Sequence, residues 1–282
     1  MSKVAALINP RSGSVPANAD ALLDAALAEL GESCDIHMLD TEDLVDAVEG
    51  CIASDPEMVI VWSGDGTVAC ALEKAGADGP PILPLPGGTM NLFHKQIHGG
   101  ACEWQDCLRD GLTRGKLIDV PAGRAGDRLF FVAAMAGNLT DLAGPREALR
   151  EGKVIAAIEK LAGADLFDFT HAMKFSTRTQ PEAGTATAAA IFVGTQADKD
   201  FEFAFIDPDN PLELAAAGIG ALVADWREAQ GVTILRDTEV ILEDPKGLDL
   251  RTTLDGEPIR LPSGTRFSRI AKAGRAISAN YE

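Results

Sequence analysis

Met58-Val59-Ile60-Val61-Trp62-Ser63-Gly64-Asp65-Gly66-Thr67-Val68 decides the architecture of this 282-residue chain. Its first five residues are apolar without alternation, the pattern of a strand buried on both faces. Ser63–Thr67 interrupts the run with two glycines, and helical spacing resumes over Val68–Ala75. A buried strand turning into a helix is the repeating unit of a parallel sheet with helices on its faces. The unit recurs on both sides. Val4–Ile8 ends in Asn9-Pro10-Arg11-Ser12-Gly13-Ser14, and helical spacing runs from Ala17 to Leu30, stopping at Gly31. Asp35–Leu39 is a second strand, and Thr41 suits the N-cap of a helix through Val45 and Val48. Ile82–Leu85 leads into Pro86-Gly87-Gly88-Thr89-Met90-Asn91, then helical pattern to about Arg114 and a strand at Leu117–Val120. Residues 1–120 therefore read as an α/β domain.

The rhythm changes after Val120. Arg128–Ala134 reads as a strand, and Pro145–Leu161 as a helix with proline in its first turn. Short strand-like segments follow at Ala172–Thr177, Thr185–Val193, Phe201–Ile206, Val232–Leu235, Glu239–Leu242, Asp249–Leu254 and Arg266–Ile270, with an Ala-rich helical stretch at Leu212–Ala229. Many short strands separated by Gly, Pro and Asp turns describe a β-sandwich-like second domain, from residue 121. Aromatics are only 5% of residues, so aliphatic side chains and alanine are expected to fill the cores.

The net charge of −18 opposes nucleic-acid partners and anionic lipid headgroups, local basic patches apart. The N-terminal apolar run is too short for a signal peptide, and no stretch reaches the length of a membrane helix. The five cysteines lie in the first half without C-x-x-C spacing, which fits reduced thiols and a cytoplasmic protein better than disulfides or zinc.

Each of the three loops at strand ends combines glycine with a hydroxyl or amide side chain. Glycine lets backbone N–H groups approach a phosphate, and a following helix adds its positive end. Thr67 and Thr89 add hydroxyl donors. Asp65 would repel phosphate, and makes sense there by holding Mg²⁺ or polarising a reacting hydroxyl. The chain has no G-x-x-x-x-G-K-[ST] motif and no G-x-G-x-x-G after its first strand, which excludes a Walker-type NTPase and disfavours a conventional NAD-binding fold.

Asn9-Pro10-Arg11-Ser12-Gly13, Gly64-Asp65-Gly66-Thr67 and Pro86-x-Gly88-Thr89-x-Asn91 together resemble the signature of the diacylglycerol kinase catalytic-domain family, which includes bacterial lipid kinases and sphingosine kinases and is distantly related to NAD kinases. Leu117-Ile118-Asp119-Val120 looks like the strand closing that family's first domain, Gly137–Leu161 like the entry into its second, and Leu254-Asp255-Gly256-Glu257-Pro258 like its late D-G-E turn. The resemblance implies a three-layer, NAD-kinase-like α/β domain and a β-sandwich-like domain (121–265), with the substrate cleft between them. It also implies that the last strands, from about residue 266 to 282, return to the first domain. It implies ATP and Mg²⁺ as cofactors and a lipid hydroxyl as acceptor, with transient membrane contact. By resemblance, Asn9, Ser12, Gly13, Thr41, Ser63, Gly64, Asp65, Gly66, Thr67, Gly88, Thr89 and Asn91 bind the nucleotide. Glu257 matches the catalytic base, and Asp65 shares that role or holds the metal.

Departures from the family pattern are specific. Leu92 stands where many relatives have Asp, which removes a carboxylate near the metal network. Asp207-Pro208-Asp209-Asn210 reads as a plain turn rather than the structural metal site of some bacterial relatives. His94 and His98, four apart on a helix, read as a surface pair lacking a third metal ligand, and Trp62 as core. Arg11 is the nearest basic group to the loops, and Arg146, Arg150 and Lys153 read as a solvated helical face. Two other readings remain: a kinase of a soluble or nucleotide substrate, and a nucleotide-binding regulator without catalysis.

Overall fold

A computed structural model describes residues 4–39, 43–137, 172–182, 184–195, 198–206 and 232–279. Thr41, the helices expected at Pro145–Leu161 and Leu212–Ala229, the turn expected at Asp207–Asn210 and the face expected at Arg146, Arg150 and Lys153 lie outside them. The chain divides into two units. One comprises Met1–Ala122, Thr195–Ala197 and Ile270–Glu282; the other comprises Gly123–Gly194 and Asp198–Arg269.

In the first unit, β1 (Val4–Ile8), β2 (Cys34–Met38), β3 (Met58–Ser63) and β4 (Ile82–Pro86) form a parallel sheet in the order β2-β1-β3-β4. Every residue of β1 is buried, as an unalternating apolar run requires. Val4, Ala6, Ile8, Ile60, Trp62, Leu83 and Leu85 face one side. There they pack against Ala19, Leu23 and Leu27 of α1 (Ala19–Glu29) and Cys107 and Leu108 of α5 (Trp104–Arg114). On the other side α2 (Leu44–Ala53) packs on β1, and α3 (Asp65–Ala75) packs on β3 and β4, completing three layers. α1 ends in paired backbone bonds, Gly31 N–H to Ala28 and Glu32 N–H to Leu27, made possible by Gly31 at φ +74. The N-cap of α2 is Asp43, not the expected Thr41: its carboxylate accepts the Val45 N–H at 2.8 Å. α3 begins at Asp65, three residues earlier than the sequence suggests, so Gly66 and Thr67 belong to its first turn.

The strand expected at Leu117–Val120 is longer: β5 spans Lys116–Ala125. The single strand expected over Arg128–Ala134 is two, β6 (Arg128–Phe130) and β7 (Ala133–Gly137), because the intervening backbone turns its N–H groups to a carboxylate, described below. The other strands are β8 (Met173–Thr177), β9 (Gly184–Ala186), β10 (Ala188–Phe192), β11 (Phe201–Ile206), β12 (Val232–Asp237), β13 (Glu239–Glu243), β14 (Leu250–Leu254), β15 (Glu257–Leu261) and β16 (Thr265–Ser278). Near its end, β16 pairs in parallel with β4 through Ala276 and Ile82.

The second unit is a sandwich. One sheet is antiparallel, in the order β12-β11-β10-β7-β14-β15. Facing it, β13 pairs with β8 on one side and with Thr265–Ser268 of β16 on the other. Alanine and aliphatic residues make up most of the core, as expected, and five phenylalanines, Phe130, Phe201, Phe203, Phe205 and Phe267, gather among Ala134, Ala136, Val240, Leu242 and Leu254. Alanine on β7 leaves room for the rings opposite.

One buried acid anchors this unit. The Asp237 side chain is fully buried, accepting the Thr179 N–H at 2.7 Å, the Thr179 hydroxyl at 2.8 Å and the Thr238 N–H at 2.7 Å. Burial raises its carboxyl, but these donors outweigh burial and hold it at about 2. A folded pKa below the unfolded value contributes stability above the unfolded value, near 4, and loses it as pH falls toward 2. Asp237→Asn is expected to destabilise the protein at pH 7 by about 1–3 kcal/mol. It should also flatten the loss of stability between pH 4 and 2, as chemical denaturation at stepped pH would measure.

Candidate active site

The register of the parallel sheet sets the site. Ile8 pairs with Trp62 and Trp62 with Leu85, so β1, β3 and β4 end level. The loops Asn9–Ser14, Ser63–Thr67 and Pro86–Asn91 therefore leave the sheet at one carboxyl edge. Their strands flank the point where chain order reverses: β1 connects outward to β2, and β3 returns on the other side. That switch point is where open α/β sheets hold ligands.

Hydrogen bonds lock the loops together. The Ser12 and Ser63 hydroxyls lie 2.9 Å apart, and Ser12 Oγ accepts the Gly64 N–H at 3.2 Å. Ser63 is 2% exposed, so this hydroxyl supports the first loop from within. Asn9 Nδ2 donates to Thr67 Oγ1 at 3.3 Å, while Asn9 Oδ1 accepts the Arg11 N–H at 3.0 Å. Ser14 N–H and Oγ donate to the Gly87 and Gly88 carbonyls, both at 3.0 Å. Asn91, at φ +49, accepts the Gly88 N–H at 2.8 Å and donates back to the Gly88 carbonyl at 2.9 Å. A Cβ on Gly13 would stand 2.9 Å from the Thr89 hydroxyl. Arg11 and Thr89 are exposed, and Trp62 is buried with its indole N–H on the Pro86 carbonyl at 3.1 Å. Thr41 lies outside the described residues.

Asp65 accepts the Leu92 N–H at 2.9 Å and the Phe93 N–H at 3.0 Å, filling the start of α4 (Leu92–His98). Its negative charge there is favourable and ties the second loop to the third. The N–H groups of Asp65, Gly66 and Thr67 at the start of α3 meet no acceptor among the described residues. One helix start is therefore satisfied internally, and the other keeps its donors open. Met90 and Leu92, 39% and 40% exposed, give the third loop an apolar rim.

The glycines of these loops differ in purpose. A Cβ on Gly87 would stand 2.5 Å from Val15 Cγ2 and 2.8 Å from both Ser63 Cα and N. A Cβ on Gly66 would meet no neighbour within 4 Å among the described residues, although Gly66 lies in a helix. Gly87 is glycine for the fold, and the sequence reading had not singled it out; its place directly after β4 was the available signal. Gly87→Ala is expected to destabilise the protein by about 1–3 kcal/mol, since backbone must shift. Thermal melting checks this.

Glu257 opens β15 in the second unit, directly after the Asp255-Gly256 turn, with φ +49 and +91. Asp255 accepts the N–H groups of Phe131 at 2.6 Å, Val132 at 2.8 Å and Ala133 at 3.0 Å. This separates β6 from β7 and fixes the hairpin that carries Glu257. The Glu257 side chain is 75% exposed, with Arg128 Nη2 at 3.7 Å. The sequence reading took Asp255 as part of a motif; its three long-range donors were not legible.

His94 and His98 are not a surface pair. They are 3% and 0% exposed. The His98 Nδ1 accepts the Ala279 N–H at 2.9 Å, so its Nε2 carries the proton and donates to the Pro84 carbonyl at 2.9 Å. Burial pushes His94 down to about 3, with the neighbouring His98 and Lys95 adding to it. Burial lowers His98 too, against the opposing Pro84 bond. Both are neutral. Nor are all five cysteines reduced: Cys102 and Cys107 form a disulfide, and His94 Nε2 lies 3.1 Å from Cys107 Sγ. The apolar neighbours Phe93 and Ile97 were the signal that this helix face is core.

A three-layer parallel domain with glycine-rich loops at its switch point, followed by an antiparallel sandwich, defines the fold class. Residues 3–124 match the diacylglycerol kinase catalytic domain. A solved structure of a diacylglycerol kinase from Bacillus anthracis str. Sterne is similar over 98% of this chain and 97% of its own, with TM-score 0.72 and 17% identity. Two further solved structures from the same organism also reach TM-score 0.72, at 17% and 16% identity, covering 98% of this chain and 95% and 97% of theirs. At such identity the likeness establishes the fold. No helix among the described residues is long and apolar enough to cross a membrane.

Proposed function

We propose that the protein is an ATP-dependent lipid kinase that transfers the γ-phosphate to a lipid hydroxyl, diacylglycerol-like or sphingoid. The observation that carries this reading is the meeting of three loops at one sheet edge, within the segment matched to the diacylglycerol kinase catalytic domain. The donors at the start of α3, with Thr67, Thr89 and the Asn9–Ser12 loop, hold the nucleotide phosphates. Asn9 and Ser12 act by shaping that loop, and Thr41 joins them by family position.

Mg²⁺ fits the donor set with one carboxylate. Each Asp65 oxygen takes one N–H and keeps lone-pair capacity, and Leu92 supplies no second acid. Mg²⁺ commonly binds through one or two carboxylates, substrate phosphates and waters, and it would neutralise charge on the phosphates. Glu257 accepts the proton of the lipid hydroxyl as its oxygen bonds to the γ-phosphorus and the bond to the bridging oxygen of ADP breaks. Asp65 positions α4 and would hold the metal. The setting is cytoplasmic, with transient membrane contact.

The test is acceptor-dependent ADP release over a panel of diacylglycerols, sphingoid bases, NAD and polyols. Release with a lipid supports the proposal. Release only with NAD or a polyol moves the acceptor to the soluble class. ATP binding without release for any acceptor identifies a non-catalytic regulator.

A further inference from the structure

The connection between α4 and α5 carries a cluster that phosphoryl transfer does not use. His94 Nε2 lies 3.1 Å from Cys107 Sγ and 3.4 Å from Cys102 Sγ. The donor atoms of His94, His98 and Cys107 all fall within 4.8 Å of one another. Cys107 is fully buried, and Cys102 is half-buried at the edge. The surroundings are apolar, with Leu85, Leu108 and Trp104 in the same core.

We propose that His94, Cys102 and Cys107 form a binding site for a thiophilic divalent cation, zinc foremost, in the reduced chain, and that the Cys102–Cys107 disulfide is its closed form. The geometry suits this chemistry. Zinc bonds of about 2.0–2.1 Å to nitrogen and 2.3 Å to sulfur, arranged tetrahedrally, separate the donors by roughly 3.5 Å. The two nitrogen–sulfur distances are already of that size, so only the sulfurs must move apart. Two thiolates and one neutral imidazole also cancel the charge of the ion, which a buried apolar site requires. An imidazole offers one ring nitrogen lone pair to a metal once its proton is displaced. His98 spends both ring nitrogens on Pro84 and Ala279, so it packs beside the site and the fourth position is left for water or a small anion.

The redox step balances with a phosphine. The phosphine takes the oxygen of a water molecule, the sulfur–sulfur bond breaks, and the two water protons give two thiols. Zn²⁺ then displaces those two protons. The ligands are close to the nucleotide loops in sequence: His94 follows Phe93, whose N–H is held by Asp65. Occupancy is therefore expected to raise the melting temperature of the reduced chain.

The experiment loads the full chain with Co²⁺ or Zn²⁺ alone, after phosphine reduction or without it. Expected are one tightly bound ion per reduced chain, a thiolate-to-cobalt charge-transfer band with strong tetrahedral visible bands, and neither in the oxidised chain. Cys102→Ser, at the half-buried edge, and His94→Gln should each weaken the ion at least tenfold and change the spectrum. His98→Asn should keep the thiolate–cobalt spectrum. Reduced wild type binding no more metal than Cys102→Ser would overturn the proposal. So would an unchanged cobalt spectrum in Cys102→Ser and His94→Gln, since Cys34, Cys51 and Cys70 would then be the ligands.

Discussion

Glu257→Gln is expected to lower turnover by about 10²–10⁴-fold, the range for removing a general base, while nucleotide affinity stays within about twofold. Glutamine keeps the shape of glutamate and loses only the capacity to take a proton. The side chain is 75% exposed, and it pairs loosely with Arg128 at 3.7 Å, so the substitution leaves the sandwich core untouched. The hairpin is held by the Asp255 carboxylate on three backbone N–H groups rather than by Glu257. Equal melting temperatures for wild type and variant, with kcat reduced and calorimetric ATP affinity retained, are the expected results. Unchanged kcat would remove Glu257 from the chemistry and leave Asp65 as the remaining carboxylate of the proposed mechanism.

Gly66→Ala separates binding from stability. Glycine in helical backbone costs up to about 0.5–1 kcal/mol relative to alanine, less in a first turn, and no neighbour among the described residues lies within 4 Å of the added methyl group. The variant is therefore expected to melt higher. Gly66 also stands among the unpaired N–H groups at the start of α3, where a methyl group would occupy the space of a phosphate. ATP affinity is expected to fall by at least tenfold. A protein more stable yet unable to bind its ligand is the signature of a residue kept small for function. Retained affinity would place the phosphates elsewhere. The contrast with Gly87, whose methyl group would strike backbone, shows that neighbouring glycines in one motif serve different ends.

The sheet of the first unit was legible because β1 and β3 are unbroken apolar runs followed directly by glycine turns, a pattern set by local physics. The loop residues were legible as donors for the same reason. Their individual duties were not. Ser63 reads as phosphate-facing, but its hydroxyl is buried against Ser12, 51 positions away. Asp65 reads as a metal ligand or base, and its carboxylate also caps a helix 27 residues on. Such roles depend on which side chains the fold brings together, and no spacing rule contains them. The same holds for Asp255, which breaks a strand more than 120 residues earlier. His94 and His98 were misplaced by considering the histidines alone; with Phe93 and Ile97 they form one buried face.

The most direct measurement follows the phosphate itself. The protein, Mg²⁺ and γ-labelled ATP are incubated with diacylglycerol or a sphingoid base in detergent micelles, and the lipid is extracted. The account predicts label in the lipid fraction, dependent on protein and abolished in Glu257→Gln. Label remaining wholly in the aqueous phase for every lipid, from a protein that binds ATP, would contradict it.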